Sequence, residues 1–120
     1  MSTSCVNFTE VRFNSDDAMQ RYLADIVTIW TPAVIEELVG LGQQRKSITR
    51  NWNHADQYKL GILREYTSPA AYQKCQKVIA KRILPSAHRY EMAALAFRGA
   101  PIMDWRSDDT SGRTVEGHLA

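Results

Sequence analysis

Residues 58–83, YKLGILREYTSPAAYQKCQKVIAKRI, change hydrophobic period across a single start signal. Before it, Leu60, Ile62, Arg64 and Tyr66 alternate with Gly61, Leu63 and Glu65, the period of a strand, and apolar groups on both sides call for cover on both faces. After it, Tyr72, Cys75, Ile79 and Ile83, with Val78 beside them, make one helical stripe, while Gln73, Lys74, Gln76, Lys77 and Lys81 face water. Between them stands Thr67-Ser68-Pro69. A hydroxyl there accepts from the first orphan amides of a helix, and proline at the first helical position gives up an N–H that had no partner. The stretch therefore predicts a strand feeding a helix. Thr31-Pro32 repeats the punctuation.

Working outward, KSITRNW at 46–52 alternates Ile48, Arg50 and Trp52 against Ser47, Thr49 and Asn51. The turn formers Asn53-His54-Ala55-Asp56 follow at once, and so short a connection implies an antiparallel pair. Further upstream, Met19, Tyr22, Leu23, Ile26, Val27 and Trp30 share one helical face behind an Asn14 or Ser15 cap, with Asp16 and Asp17 at the positive end of the helix dipole. Pro32 predicts a kink or a restart, Val34, Ile35 and Leu38 continue the buried face, and Gly40 and Gly42 stop it. Val6, Phe8, Val11 and Phe13 read as a first strand whose phase breaks at Thr9 and Glu10, as a bulge would. Pro85 ends the last helix.

Residues 90–97, YEMAALAF, favour helix on propensity, yet topology argues for strand. With a strand there, the order β-α-β-β-α-β gives an α+β, ferredoxin-like domain: a four-stranded antiparallel sheet with two helices on one face. The other sheet face is not wholly polar, and a second subunit is the economical cover. The expected organisation is one domain over 1–105 and a mobile tail over 106–120, rich in Ser, Asp, Gly and Thr, with Ile102, Met103 and Trp105 available to dock as a short arm.

The 120 residues, 44% hydrophobic and 23% charged, suit one globular domain with its own core. A net charge of +2, with the charges interspersed, gives no electrostatic footprint for nucleic acid. Cys5 and Cys75 read as buried reduced thiols, no apolar run approaches the ~20 residues of a membrane span, and no basic leader is visible, so a cytoplasmic location is the default expectation. Gly-rich phosphate loops, a nucleophile elbow and acidic metal clusters are absent from the sequence. His54, His88 and His118 lack metal-ligand spacing, so no metal is expected; His54 belongs to the turn and His118 to the tail.

The Trp30-ended helix, the SITRNW-to-YKLGILREY hairpin and the REYTSPAAYQ junction together resemble the dimeric α/β-barrel superfamily over residues 5–98. The resemblance implies a homodimer whose sheets face each other, and a small-molecule pocket between each subunit's sheet and helices. Members include cofactor-independent oxygenases, isomerases, polyketide cyclases and haem-degrading enzymes. No subfamily motif selects among them, so no catalytic residue carries over.

The residues themselves supply candidates. His88 and Tyr90 lie where the last helix returns to the sheet, and histidine titrates nearest neutrality. Arg64, in phase with Leu60 and Ile62, is costly to bury unpaired: it meets a carboxylate such as Glu91 or Glu10, or it awaits an anionic ligand. Tyr22, Trp30 and Tyr72 on the inner helix faces, with Trp52 and Tyr66 on the strands, line a flat ligand's slot or fill core. The expectation is a homodimeric enzyme, needing no cofactor, that acts on an aromatic or polyketide-like small molecule as a cyclase, isomerase or oxygenase. The alternative is a noncatalytic ligand-binding or assembly module with the same fold.

Overall fold

The computed structural model describes residues 4–51 and 57–114, without the side chains of 87, 88 and 109–114. Strand β1 (Cys5–Phe13) leads into α1 (Asp16–Ile29), capped by the Ser15 hydroxyl, which accepts from the Ala18 amide at 3.1 Å. At Pro32 the chain restarts rather than kinks: Thr31 caps a separate α2 (Pro32–Gly40). Strand β2 (Gln43–Arg50) pairs antiparallel with β3 (Lys59–Tyr66), and Ser68 caps α3 (Pro69–Arg82) with a 3.0 Å bond from the Ala71 amide. A short α4 (Leu84–Ala87) contains Pro85, one 3-10 turn covers His88–Tyr90, and β4 (Met92–Gly99) completes the sheet. The sheet order is β2-β3-β1-β4, all antiparallel, which is the ferredoxin-like topology expected from the element order.

Three local expectations are corrected. Strand β2 starts at Gln43 and ends at Arg50 instead of spanning 46–52, because Gln43 pairs with Tyr66 across a register shift, a long-range contact that Gln43-Gln44-Arg45 does not advertise. β1 keeps an even register with both neighbours and has no bulge. Its hydrophobic phase breaks because Asn7 and Thr9 are buried among apolar positions, at 2% and 7% exposure. The fourth strand begins at Met92, Tyr90 being part of the 3-10 turn. The expected turn at 53–56, with His54 and Trp52, lies outside the described residues, as does His118.

Beyond β4, residues 103–114 form a hairpin of β5 (Met103–Arg106) and β6 (Asp109–Thr114), where the sequence reading expected only a docking arm and a mobile tail. The tether is electrostatic. Arg106 donates to the Glu65 carboxylate at 2.7 Å, and Arg45 approaches the same carboxylate at 3.5 Å. Local periodicity carries no trace of such a pairing.

The register sorts the sheet's residues between two faces. Cys5, Asn7, Thr9, Val11 and Phe13 of β1 align with Tyr66, Arg64, Ile62 and Leu60 of β3 under the helices. The other face carries Phe8 between Leu63 and Phe97, with Leu95 alongside; Phe8, Leu95 and Phe97 are 48%, 56% and 58% exposed. Among the described residues the core divides into two clusters, one around Trp30, Leu38, Tyr66, Tyr72 and Cys75 and the other around Phe13, Met19, Tyr22, Leu60 and Tyr90. Both cysteines are buried and free, and burial raises their thiol pKa.

Gly42 joins α2 to β2 at φ +113°, a conformation L side chains rarely adopt. A Cβ there would sit 2.6 Å from Ala71 Cβ and 2.7 Å from Thr67 Oγ1, against the β3–α3 junction. Gly42→Ala should therefore cost roughly 2–4 kcal/mol, strain and overpacking together, read as a lower urea midpoint with unchanged m-value. An unshifted midpoint would contradict this account of the junction.

Candidate functional site

Between the two core clusters the sheet carries a polar band. Lys46 of β2 stands opposite Arg64 of β3, Arg64 opposite Asn7 of β1, and Asn7 opposite Arg98 of β4. Pairing places all four on the helix-covered face, so three basic side chains and an amide cross the sheet in one row. Like charges directly opposite each other destabilise a strand pair, so Lys46 and Arg64 do not both hold their charge without cost.

Arg64 is the centre of the band and only 8% exposed. Its Nη1 donates to Asn7 Oδ1 at 3.3 Å and to Thr9 Oγ1 at 3.1 Å, while Thr9 Oγ1 donates to Asn7 Oδ1 at 2.7 Å. Its buried Nε has no partner, and among the described residues no carboxylate pairs with it; neither Glu10 nor Glu91 does so. Glu10 instead pairs with Lys59 at 2.9 Å. Burial shifts the guanidinium pKa downward, and the surrounding Tyr66, Tyr22 and Tyr72 oppose that shift. An arginine stays charged in any protein setting, so this is a desolvated cation with no counter-charge, an arrangement that costs several kcal/mol.

A cavity of about 210 Å³ opens beside it, between α1, α3 and the sheet. Arg64, Asn7, Thr9 and Tyr22, with Gln76 and Ser86, contribute polar groups to its wall, and Ile62 and Ile79 apolar ones. Ala94 and Ala96 of β4 also line it, and both remain exposed, so the mouth is where small side chains leave the helix face of the sheet open. Ligand pockets usually measure about 300–1,000 Å³, so this one suits a molecule of one or two rings.

The other candidates divide between wall and core. Trp30 lines the cavity and donates its indole N–H to the Tyr22 hydroxyl at 3.1 Å. Burial raises the Tyr22 pKa, and the Trp30 and Arg64 contributions lower it. Tyr66 is fully buried, accepts from Gln43 Nε2 at 3.3 Å and meets the Tyr72 ring edge-on at 5.4 Å. Tyr72 accepts from Arg98 Nη1 at 2.9 Å, at a surface notch beside Cys5. Tyr90 donates to Asp25 Oδ2 at 2.8 Å and packs edge-on against Tyr22, an architectural position away from the cavity wall. The Asp25 hydrogen bond, and then burial, raise its pKa. Trp52 and the His88 side chain lie outside the described residues. Among the described residues no group of three or more His, Cys, Asp or Glu could hold a metal ion, and no helix is long and apolar enough to cross a membrane.

Lys46, Asn7, Thr9 and Arg98 were not singled out from the sequence. Lys46 was available by counting back two from Ile48, but its meaning depends on standing opposite Arg64, which only the register supplies.

Two solved dimeric ferredoxin-like proteins from uncultured marine organisms match this chain, at 23% identity and TM-score 0.79 and at 18% identity and TM-score 0.77. Each match covers 87% of this chain, and 99% and 100% of the respective neighbour. A variant of SnoaB, a cofactor-independent oxygenase from Streptomyces nogalater, matches at 10% identity and TM-score 0.52, covering 93% of this chain and 100% of its own. These likenesses establish the ferredoxin-like fold, as the sequence resemblance implied. No curated protein matches. A family model described as a domain of unknown function, DUF6974, matches residues 2–100, and the chain belongs to that family.

Proposed function

We propose that the protein is a homodimeric small-molecule enzyme, working without a cofactor, that binds a planar anion of one or two rings in the cavity between sheet and helices. Arg64 carries the reading: a cation more than nine-tenths buried, on the cavity wall, with an unused Nε–H and no carboxylate partner among the described residues. A carboxylate or enolate there would accept from that N–H and supply the missing counter-charge. The apolar lining and the fold shared with a cofactor-independent oxygenase favour an oxygenase, cyclase or isomerase acting on an aromatic substrate. A noncatalytic binding module is the second reading, favoured by one observation: among the described residues the wall holds neither carboxylate nor imidazole to move a proton.

Calorimetric titration with 2-naphthoate and with the neutral 2-naphthamide tests the site. The acid should bind at least about tenfold more tightly; equal affinity, or no binding of either, would contradict the anion site. Incubating 1-hydroxy-2-naphthoate with the protein in air and under argon then separates the readings. Conversion without added cofactor supports the enzyme, and a probe bound but unchanged supports the module.

The exposed Phe8, Leu95 and Phe97 on the open face, with half-buried Leu63 beside Phe8, support the dimer, as does the dimeric state of both marine neighbours. Phe97→Asp should convert a dimer to a monomer in sedimentation at the same concentration, since it sets a charge into an apolar contact. A wild-type protein that already sediments as a monomer would contradict the homodimer.

A further inference from the structure

A second cleft, of about 350 Å³, lies between α1, α2 and β2, with Trp30 as the wall it shares with the first cavity. Its lining is mainly apolar, including Ile26, Leu38 and Ile48, with exposed Val27 and Val39 at the rim. Its basic lining residues are Arg45, which pairs with Glu65, and Lys46. Lys46 Nζ is buried, has no hydrogen-bond partner and rests on the face of the Trp30 ring. Its cross-strand neighbour is the unpaired cation Arg64, and among the described residues no carboxylate pairs with either.

We propose that Lys46 is the nucleophile of a second site, where its amine condenses with the carbonyl of a small apolar aldehyde, ketone or 1,3-diketone held in this cleft. An amine is nucleophilic only when unprotonated, and two features keep it so: an apolar pocket, which disfavours the ammonium, and an adjacent fixed cation. Burial first, and Arg64 second, push the Lys46 pKa down to about 5. The Trp30 face, over which the amine lies, is a neighbour that favours the charged form. In the reaction Nζ adds to the carbonyl carbon, a proton moves from nitrogen to the new alkoxide, and the carbinolamine loses water to leave a C=N bond. With a 1,3-diketone the imine tautomerises to a conjugated enaminone. No oxidant, reductant or cofactor enters. Trp30 borders both sites and Arg64 acts on both, but burial alone already disfavours the ammonium, so labelling of Lys46 and binding of an anion can fail separately.

Acetylacetone is the probe. Incubated with the full chain near neutral pH, it should give the near-ultraviolet band of an enaminone, and peptide mapping should locate the adduct at Lys46. Labelling there should exceed that of Lys74, Lys77 and Lys81 by at least about tenfold, and its pH dependence between about 6 and 8 should be shallower than theirs by about tenfold per unit, since only the surface amines still change protonation there. Lys46→Met should remove most of the band, leaving only the slow labelling of the surface lysines, while keeping the circular dichroism spectrum. If that variant misfolds, the wild-type peptide map decides alone. An unmodified Lys46, or labelling at parity with the surface lysines, overturns the proposal.

Discussion

Lys46→Met should stabilise the protein, raising its unfolding temperature at pH 7 by about 5 °C or more. Methionine keeps most of the unbranched stem against Trp30 and removes a buried amine with no hydrogen-bond partner. In the unfolded chain Lys46 titrates near ~10.4, whereas in the fold its pKa falls to about 5. Between those values the unfolded chain holds one more proton than the native one, so native stability declines as pH falls through this window and the penalty is complete below the folded value. Partial relaxation around the amine would leave about 1–3 kcal/mol of the penalty at neutrality, which corresponds to several degrees for a chain of this size. Thermal unfolding of both proteins at pH 6 and pH 9 checks it. The gap between variant and wild type should narrow at the higher pH, and a destabilised variant with a pH-independent gap would contradict the account.

The second large effect is on ligand selectivity. Arg64→Met should weaken 2-naphthoate binding by about 100-fold while leaving 2-naphthamide within a few-fold of wild type, because a desolvated, hydrogen-bonded charge pair is worth about 2–5 kcal/mol when one partner is removed. Arg64→Lys should fall between, keeping charge but losing the planar fork whose Nη1 binds Asn7 and Thr9 while Nε is left for a ligand. The variant need not unfold. Thr9 and Asn7 retain their own 2.7 Å bond, and deleting an uncompensated buried cation offsets the lost contacts. Equal losses for both ligands would mean that Arg64 shapes the cavity without recognising charge.

The fold was legible because its punctuation is local. Ser15, Thr31 and Ser68 each cap the helix that follows, as their hydroxyls and the adjacent Pro32 and Pro69 suggested. The site was legible only at its centre. Arg64 stood out as a charge in phase with Leu60 and Ile62, but its neighbours come from two other strands, and cross-strand register depends on contacts distant in sequence. The apparent bulge at Thr9 was in fact the clearest local sign of the site: polar residues had taken buried positions of β1. Tyr90 had the right residue type near the right turn, yet its hydroxyl is committed to Asp25 on α1, a contact no spacing encodes. The hairpin at 103–114 escaped notice because Glu65, which tethers it, lies about forty residues upstream.

The most direct test is the Arg64 Nε–H itself, the buried donor without a partner. In nitrogen-15-labelled protein its resonance should move saturably on titration with 2-naphthoate, together with the amides of Asn7, Thr9, Ala94 and Ala96 around the cavity. A resonance that stays fixed while shifts gather at Phe8, Leu95 and Phe97 on the open face would place the ligand elsewhere and contradict the anion site.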